Sequence, residues 1–201
     1  MTKNLIRWEE IILPFFMEYI SFEEVVGLYR HKESLESIIE SIYNYRDQNT
    51  ISDGSSNVDG WQKELPETPE FCGIRDVIMD NFPEYLDKLG ITDRVGFTFT
   101  KFFCNVNPPG ASNTMHSHNV GEFSGAFWLK AEENSGDIII MNPYRNSMLN
   151  TLCTTNKNYN CMKITPESNL GCFFNSNLIH YVDVNRSNTD RISIAFHIKI
   201  L

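Results

Sequence analysis

The stretch Val95-Gly96-Phe97-Thr98-Phe99-Thr100 changes the period of the chain. Val95, Phe97 and Phe99 alternate with Gly96, Thr98 and Thr100, and aromatic or β-branched residues at every second position fit a half-buried strand. Downstream, short apolar runs recur at 123–130, 137–141, 161–164, 171–174, 178–182 and 191–200. Turn-forming groups separate them: Pro108-Pro109-Gly110, Asn134-Ser135-Gly136, Asn142-Pro143 and the run from Asn185 to Thr189. Short strands at regular spacing with no helix between them predict an antiparallel sandwich or barrel.

Upstream of Val95 the period is helical. Leu35, Ile38, Ile39 and Ile42 recur at three- and four-residue spacing within 32–48, with charges on the opposite face. A turn-rich segment, 49–60, carries Asp53-Gly54 and Ser55-Ser56-Asn57 and reads as a loop. Pro69 suits a first helical position, and Phe71, Ile74, Val77 and Ile78 supply the apolar stripe of a second helix over 69–81. Pro83 either kinks that helix or starts a short one ending near Gly90. The first thirty residues are mixed and weakly periodic. The organisation is helices first, then a β-sandwich: a helical and loop region over 1–93 packed on a β core over 94–201, together one structural domain.

Composition sets the outer bounds. With 201 residues, 41% hydrophobic and 21% charged, the chain has the make-up of one globular domain able to bury a core without staples. A net charge of −9 leaves no basic footprint, so no nucleic-acid partner is expected. No run reaches the roughly 18 apolar residues of a membrane span; the best, 11–20, is broken by Pro14 and Glu18. Arg7, Glu9 and Glu10 interrupt any signal-peptide core, and the expected location is the cytoplasm. Five cysteines without CxxC spacing predict reduced thiols, with Cys104 and Cys172 as small buried hydrophobes.

Chemistry concentrates in the histidines. His116-Ser117-His118 follows a Pro-Pro-Gly turn, and in extended backbone residues i and i+2 point the same way, so both rings can converge. His180 lies on a late strand that a sandwich can bring alongside. Three neutral imidazoles around one point make a site for a divalent transition metal with positions left open. The bland alternative for any such triplet is no metal at all. His31 reads as a solvated surface residue. His197 shares strand parity with Arg191 and reads as a packed core histidine, and Phe102, Phe103, Phe173 and Phe174 read as core.

Arg191 and Ser193 share one face of the last strand, with Ile192, Ile194 and Phe196 on the other. A guanidinium pointing into a barrel needs an anion, best a carboxylate held bidentately, and the serine hydroxyl can add a hydrogen bond. The alternative is a salt bridge to Asp183 or Asp190. Together, a histidine cluster and an inward arginine mean a metal plus a bound dicarboxylic acid.

The segment from Asn105 to Ile198 resembles the 2-oxoglutarate/Fe(II)-dependent oxygenases, most of all an uncharacterised bacterial and phage branch. The matching pieces run in order: Asn105-Val106-Asn107-Pro108-Pro109-Gly110, His116-Ser117-His118, Ser124-Gly125-Ala126-Phe127-Trp128-Leu129, Gly136-Asp137-Ile138, Asn142-Pro143, Phe174-Asn175-Ser176-Asn177-Leu178-Ile179-His180 and Arg191-Ile192-Ser193-Ile194-Ala195-Phe196. Upstream, the segment from Ser56 to Gln62 resembles one that precedes the β-domain in that branch.

The resemblance implies a mainly β fold, a double-stranded β-helix (jelly roll) with N-terminal helices on its flank. It implies Fe(II) as metal, 2-oxoglutarate as co-substrate and O2. His116 and His180 would be the two histidine ligands, Arg191 would pair with the distal carboxylate of 2-oxoglutarate, and Ser193 would assist. A C–H bond of the substrate would be hydroxylated, with release of succinate and CO2. The third ligand departs from the usual pattern: His118 stands where the superfamily carries a carboxylate, which adds one unit of positive charge, and Glu122 is the alternative. Phe127 falls where a tyrosine is common, so one hydrogen bond to the co-substrate is expected to be missing.

Two other readings stay open. Gly110, His116, His118, Glu122 and His180 come close to a cupin's metal set, which would give a metal protein or dioxygenase without 2-oxoglutarate; that reading leaves Arg191 without a role. A phage structural or assembly protein could keep the jelly roll and lack catalysis. The substrate, whether a protein side chain, a peptide or a metabolite, would be chosen by loops such as 53–61 and 144–159, and 146–160 reads as a solvated loop or a lid.

Overall fold

The computed structural model describes residues 26–91, 96–143 and 161–201. In chain order these form β1 (Gly27–Arg30), α1 (Glu36–Gln48), β2 (Asn57–Val58), β3 (Trp61–Glu64), α2 (Pro69–Lys88), β4 (Phe97–Asn107), β5 (Ser112–His116), β6 (Phe123–Lys130), β7 (Ile138–Met141), β8 (Cys161–Ile164), β9 (Leu170–Asn175), β10 (His180–Val182) and β11 (Arg191–Ile200). The expectations about residues 1–25, Val95 and the stretch 144–160 lie outside the described residues.

β11 shows how the sequence builds the molecule. It is flanked by β6 and β4 in a six-stranded sheet ordered β1-β9-β6-β11-β4-β3. Its even positions, Ile192, Ile194, Phe196 and Ile198, are completely buried in one core with Phe71, Ile74, Ile78 and Phe82 of α2. Each such side chain stabilises the fold by about 1.5–3 kcal/mol on burial. The odd positions, Arg191, Ser193, Ala195 and His197, turn to the opposite face and line a cavity. That face looks onto a five-stranded sheet, β2-β5-β10-β7-β8. Trp128, Cys172 and Phe174 of the large sheet pack with Ile138, Ile140 and Ile164 of the small one. All strand pairs described are antiparallel, and the architecture is the expected double-stranded β-helix with helices on the outer face of its larger sheet.

The alternation of β4 carries one step that its sequence conceals. His197 pairs with Lys101 and Ile198 with Phe99, so the register shifts between them and Thr100 is the extra residue of a bulge. Phe97 and Phe99 before it, and Phe102 and Cys104 after it, all join the helix-side core. The shift is what turns Lys101, Phe103 and Asn105 into the cavity.

α2 runs through Pro83 without ending. Pro83 is exposed, while its neighbours Phe82, Tyr85 and Leu86 are buried, and three large apolar groups outweigh the roughly 3 kcal/mol an interior proline costs. The helix stops where Gly90 takes φ +74°. The Gly90 and Ile91 N–H groups close onto the Asp87 and Leu86 carbonyls at 3.0 Å each, a Schellman cap. The segment expected as a loop over 49–60 includes the short β2, and β1, β3 and β5 were not anticipated from the sequence pattern.

Candidate active site

Two strands of the small sheet bring the first histidines together. His116, the last residue of β5, and His180, the first of β10, are direct cross-strand partners. Their ring centroids lie 4.3 Å apart. His118, two residues beyond β5, completes the group at 4.8 Å from each. One ring nitrogen from each of the three falls within 4.8 Å of the others, a spacing a single metal ion can bridge.

The protonation chemistry of this cluster suits a metal. His116 Nδ1 lies 2.7 Å from the Thr114 carbonyl oxygen and His180 Nδ1 lies 2.9 Å from that of Leu178. A carbonyl only accepts, so each Nδ1 carries the proton and Nε2 keeps a free lone pair. Burial, then the neighbouring rings of His197 and His116, pushes the pKa of His118 down to about 3. Burial chiefly, with His116 and His118 adding to it against the opposing Leu178 carbonyl, brings His180 to about 3. Neutral imidazole is the form that binds metal.

Arg191 lies at the start of β11, only 1% exposed. Its Nη1 donates to the backbone carbonyls of Ser135, of Gly136 at 3.1 Å and of Asp183 at 3.5 Å. Among the described residues no carboxylate pairs with it. Asp190 is engaged elsewhere, accepting from the Tyr43 hydroxyl at 3.1 Å and lying 3.6 Å from Arg46. The salt-bridge alternative therefore fails. Burial pulls the guanidinium pKa down to about 10, because taking the cation out of water disfavours its charged form. Arg191, Ser193 and the three histidines all line one cavity of about 450 Å³, within the range of small-molecule sites.

Residues 101–197 match the family described as "Putative 2OG-Fe(II) oxygenase". Over that span the chain is similar to the 2OG-Fe(II) oxygenases. The matched span contains His116, His118, His180, Arg191 and Ser193. No curated protein matches the chain. Among solved structures, a 2OG-Fe(II) oxygenase family oxidoreductase from Burkholderia pseudomallei is similar at TM-score 0.60 and 11% identity, with 88% of this chain and 85% of that one covered. A Pseudomonas putida prolyl-4-hydroxylase aligns at TM-score 0.58 and 13% identity over 86% of this chain and 92% of that one. A Trichoplax adhaerens prolyl hydroxylase, solved with a hypoxia inducible factor peptide fragment, aligns at TM-score 0.60 and 13% identity over 95% and 93%. At such identities these likenesses establish the fold.

A 2OG-Fe(II) oxygenase implies Fe(II), 2-oxoglutarate and O2. The residues present fit these groups: three clustered ring nitrogens for the metal, and a buried arginine that no carboxylate pairs with among the described residues. Several expectations need correction. Glu122 is exposed and accepts the Ile200 N–H at 2.8 Å, so it is tied to the far end of β11 and does not join the cluster. Phe127 points to the helix side, buried and stacked on Tyr29 at 5.8 Å. Its neighbours Ala126 and Trp128 face the cavity, so Phe127 deletes no hydrogen bond to a co-substrate. Phe103, expected in the core, lines the cavity, whereas Phe174 is buried in the core between the sheets as expected and borders the cavity edge-on to His180 at 4.9 Å. His31 is half-buried against Phe127, outside the site.

His197 is no packed core residue. It lines the cavity, with Nδ1 3.0 Å from His118 Nδ1 and 2.8 Å from Ser124 Oγ. Its shared parity with Arg191 was the one signal in the sequence. Cys104 and Cys172 are fully buried as expected, and burial raises the Cys172 thiol to about 12. No helix among the described residues is long and apolar enough to cross a membrane.

Proposed function

We propose that this chain is an Fe(II)- and 2-oxoglutarate-dependent hydroxylase, with His116, His118 and His180 as metal ligands and Arg191 and Ser193 as the co-substrate's anchors. The observation that carries the reading is the pairing, in one cavity, of a three-imidazole cluster with a buried arginine that has no carboxylate partner among the described residues. Bound Fe(II) with 2-oxoglutarate and O2 supplies the oxidation: one oxygen atom enters the keto acid, which leaves as succinate and CO2, and the other hydroxylates a substrate C–H bond.

The chain's own residues do the rest. The Thr114 and Leu178 carbonyls accept from Nδ1–H of His116 and His180, which would leave Nε2 of each ring to hold the metal. The Ser135, Gly136 and Asp183 carbonyls fix one edge of the Arg191 guanidinium, leaving its remaining N–H groups to bind a carboxylate. Ser193 lies two residues along on the same face and can donate to that anion. Trp128, Ile138, Phe174 and Val182 give the cavity apolar walls that exclude water from the reacting atoms. Three neutral ligands leave the metal's double charge uncompensated, and a dianionic keto acid balances it. A cupin-type centre with no keto acid would leave Arg191 unpaired.

Asp53, Ser56, Lys101 and Asn113 also line the cavity and offer polar contacts to a substrate; the class of molecule is a protein side chain, a peptide or a metabolite. The test is an anaerobic titration of the Fe(II)-loaded protein with 2-oxoglutarate, following the visible charge-transfer band of the chelate. The band should appear with wild type and be lost in Arg191→Ala. Bound iron without a band would overturn the co-substrate assignment.

A further inference from the structure

Two of the three clustered imidazoles take their orientation from a backbone carbonyl, and the third does not. His118 lies past the end of β5, on a loop, and its Nδ1 faces another ring: it is 3.0 Å from His197 Nδ1 and 3.3 Å from Ser124 Oγ. Ser124 Oγ in turn lies 2.8 Å from His197 Nδ1 and 2.7 Å from Ser176 Oγ. The two rings stand edge to face, centroids 4.1 Å apart at 86°. Ser176 also accepts the His118 backbone N–H at 2.9 Å through its carbonyl.

Two ring nitrogens at hydrogen-bond distance cannot both carry protons and cannot both lack them. If His118 binds metal through Nε2, its single proton sits on Nδ1. One assignment then fits the group: His118 Nδ1–H and Ser124 Oγ–H share the single lone pair of His197 Nδ1, and Ser176 donates to Ser124. His197 carries its own proton on Nε2.

We infer that His197, clamped by Ser124 and Ser176, is a positioning residue that holds His118 as the third metal ligand; the inference rests on the metal-centre reading above. An imidazole nitrogen is a stronger acceptor than a carbonyl. Accepting from Nδ1–H makes His118 a better donor at Nε2, where the usual carboxylate's negative charge is missing. β11 thus serves the centre at both ends, with Arg191 toward the acid and His197 toward the metal.

The test is calorimetric titration with Co(II), an air-stable substitute for Fe(II), on wild type, His118→Ala, His180→Ala, His197→Phe, His197→Asn and the double variant His118→Ala/His197→Phe. His197→Phe should weaken Co(II) by about 10- to 100-fold, the usual range for a lost partner behind a ligand. His197→Asn, whose Oδ1 can occupy the place of Nδ1, should recover most of that loss. The double variant should bind no more weakly than His118→Ala, because His197 acts only through His118. His197→Phe binding within twofold of wild type, or weakening Co(II) equally in the His118→Ala background, would overturn the inference alone. Co(II) binding unchanged in His180→Ala would overturn the metal centre and the inference with it. Ser124→Ala, which deletes only a hydroxyl, carries the same test if His197→Phe does not fold: weaker Co(II) binding supports the clamp and unchanged binding counts against it.

Discussion

His116 and His180 face each other as a single cross-strand pair, ring centroids 4.3 Å apart, with each Nδ1 bonded to the carbonyl two residues earlier. The symmetry of that arrangement makes the pair one half of the proposed metal centre. Replacing either by alanine should remove Co(II) or Fe(II) binding measurable by calorimetry. The fold should survive, because both rings face the cavity and neither belongs to the two apolar cores. A loss of about 1 kcal/mol in stability, the centre of the usual range for substitutions, is expected from denaturant unfolding of the metal-free His180→Ala protein.

Arg191 is buried, and no carboxylate pairs with it among the described residues. Arg191→Ala should weaken 2-oxoglutarate by about 1.5–3 kcal/mol, the worth of hydrogen bonds to a charged group, which is roughly 10- to 150-fold in Kd. Metal affinity in the absence of the keto acid should stay within a few-fold of wild type. Thermal shift gives an independent check: 2-oxoglutarate with Fe(II) under anaerobic conditions should raise the wild-type Tm and leave that of Arg191→Ala near its metal-only value.

Those two ends of the site differ in how far the sequence revealed them. The alternation in 191–200 is clean, so both the helix-side core (Ile192, Ile194, Phe196) and the inward placement of Arg191 and Ser193 follow from period two. β6 and β8 match the apolar runs at 123–130 and 161–164. β5 was hidden because Ser112, Asn113 and Thr114 offer no apolar alternation, and its strand is held by pairing with β10 and β2. β1 and β3 are four-residue edge strands specified by the sheet they join. Phe103 was misplaced since the bulge at Thr100 reverses parity, and nothing local in Phe-Thr-Lys-Phe announces a bulge. The role of His197 required knowing that the loop after β5 folds over Ser124, a contact spanning 79 residues between His118 and His197.

Acid should destabilise the metal-free protein earlier than its carboxylates alone would. The pKa values of His118, His180 and His197 fall from 6.5 to about 3, about 3 and about 4, each mainly through burial. Between about pH 4 and 6.5 the unfolded chain binds protons at these sites that the folded chain does not. Stability is therefore full above pH 6.5 and declines as pH falls below it. Urea unfolding of metal-free protein at pH 7 and pH 5 should show the midpoint dropping. His197→Asn, with one such group fewer, should show a shallower decline, and equal midpoints at the two pH values would contradict neutral rings in the folded state.

Glu122 offers the opposite kind of test. Its carboxylate accepts the Ile200 N–H at 2.8 Å, and a glutamine keeps an oxygen able to do the same. Glu122→Gln should leave Co(II) affinity within twofold of wild type and cost under about 0.5 kcal/mol of stability, as for other exposed positions. A large loss of metal affinity would make this carboxylate a ligand and displace His118 from the set.

Gly136 links the backbone to the proposed co-substrate end. It adopts φ +95°, a conformation that glycine alone takes without strain, and a Cβ there would lie 2.2 Å from the Asp183 carbonyl oxygen and 2.7 Å from Arg191 Nη1. Neither neighbour can retreat freely, since the Asp183 and Gly136 carbonyls are two of the three that hold the guanidinium. Gly136→Ala should therefore act twice. Backbone strain should cost about 1–3 kcal/mol of stability, and displacement of Arg191 should weaken 2-oxoglutarate while Co(II) binding, made at the other end of β11, holds. Glycine is needed here for Arg191's sake if both losses appear together; a stability loss with unchanged 2-oxoglutarate affinity would confine its role to the turn.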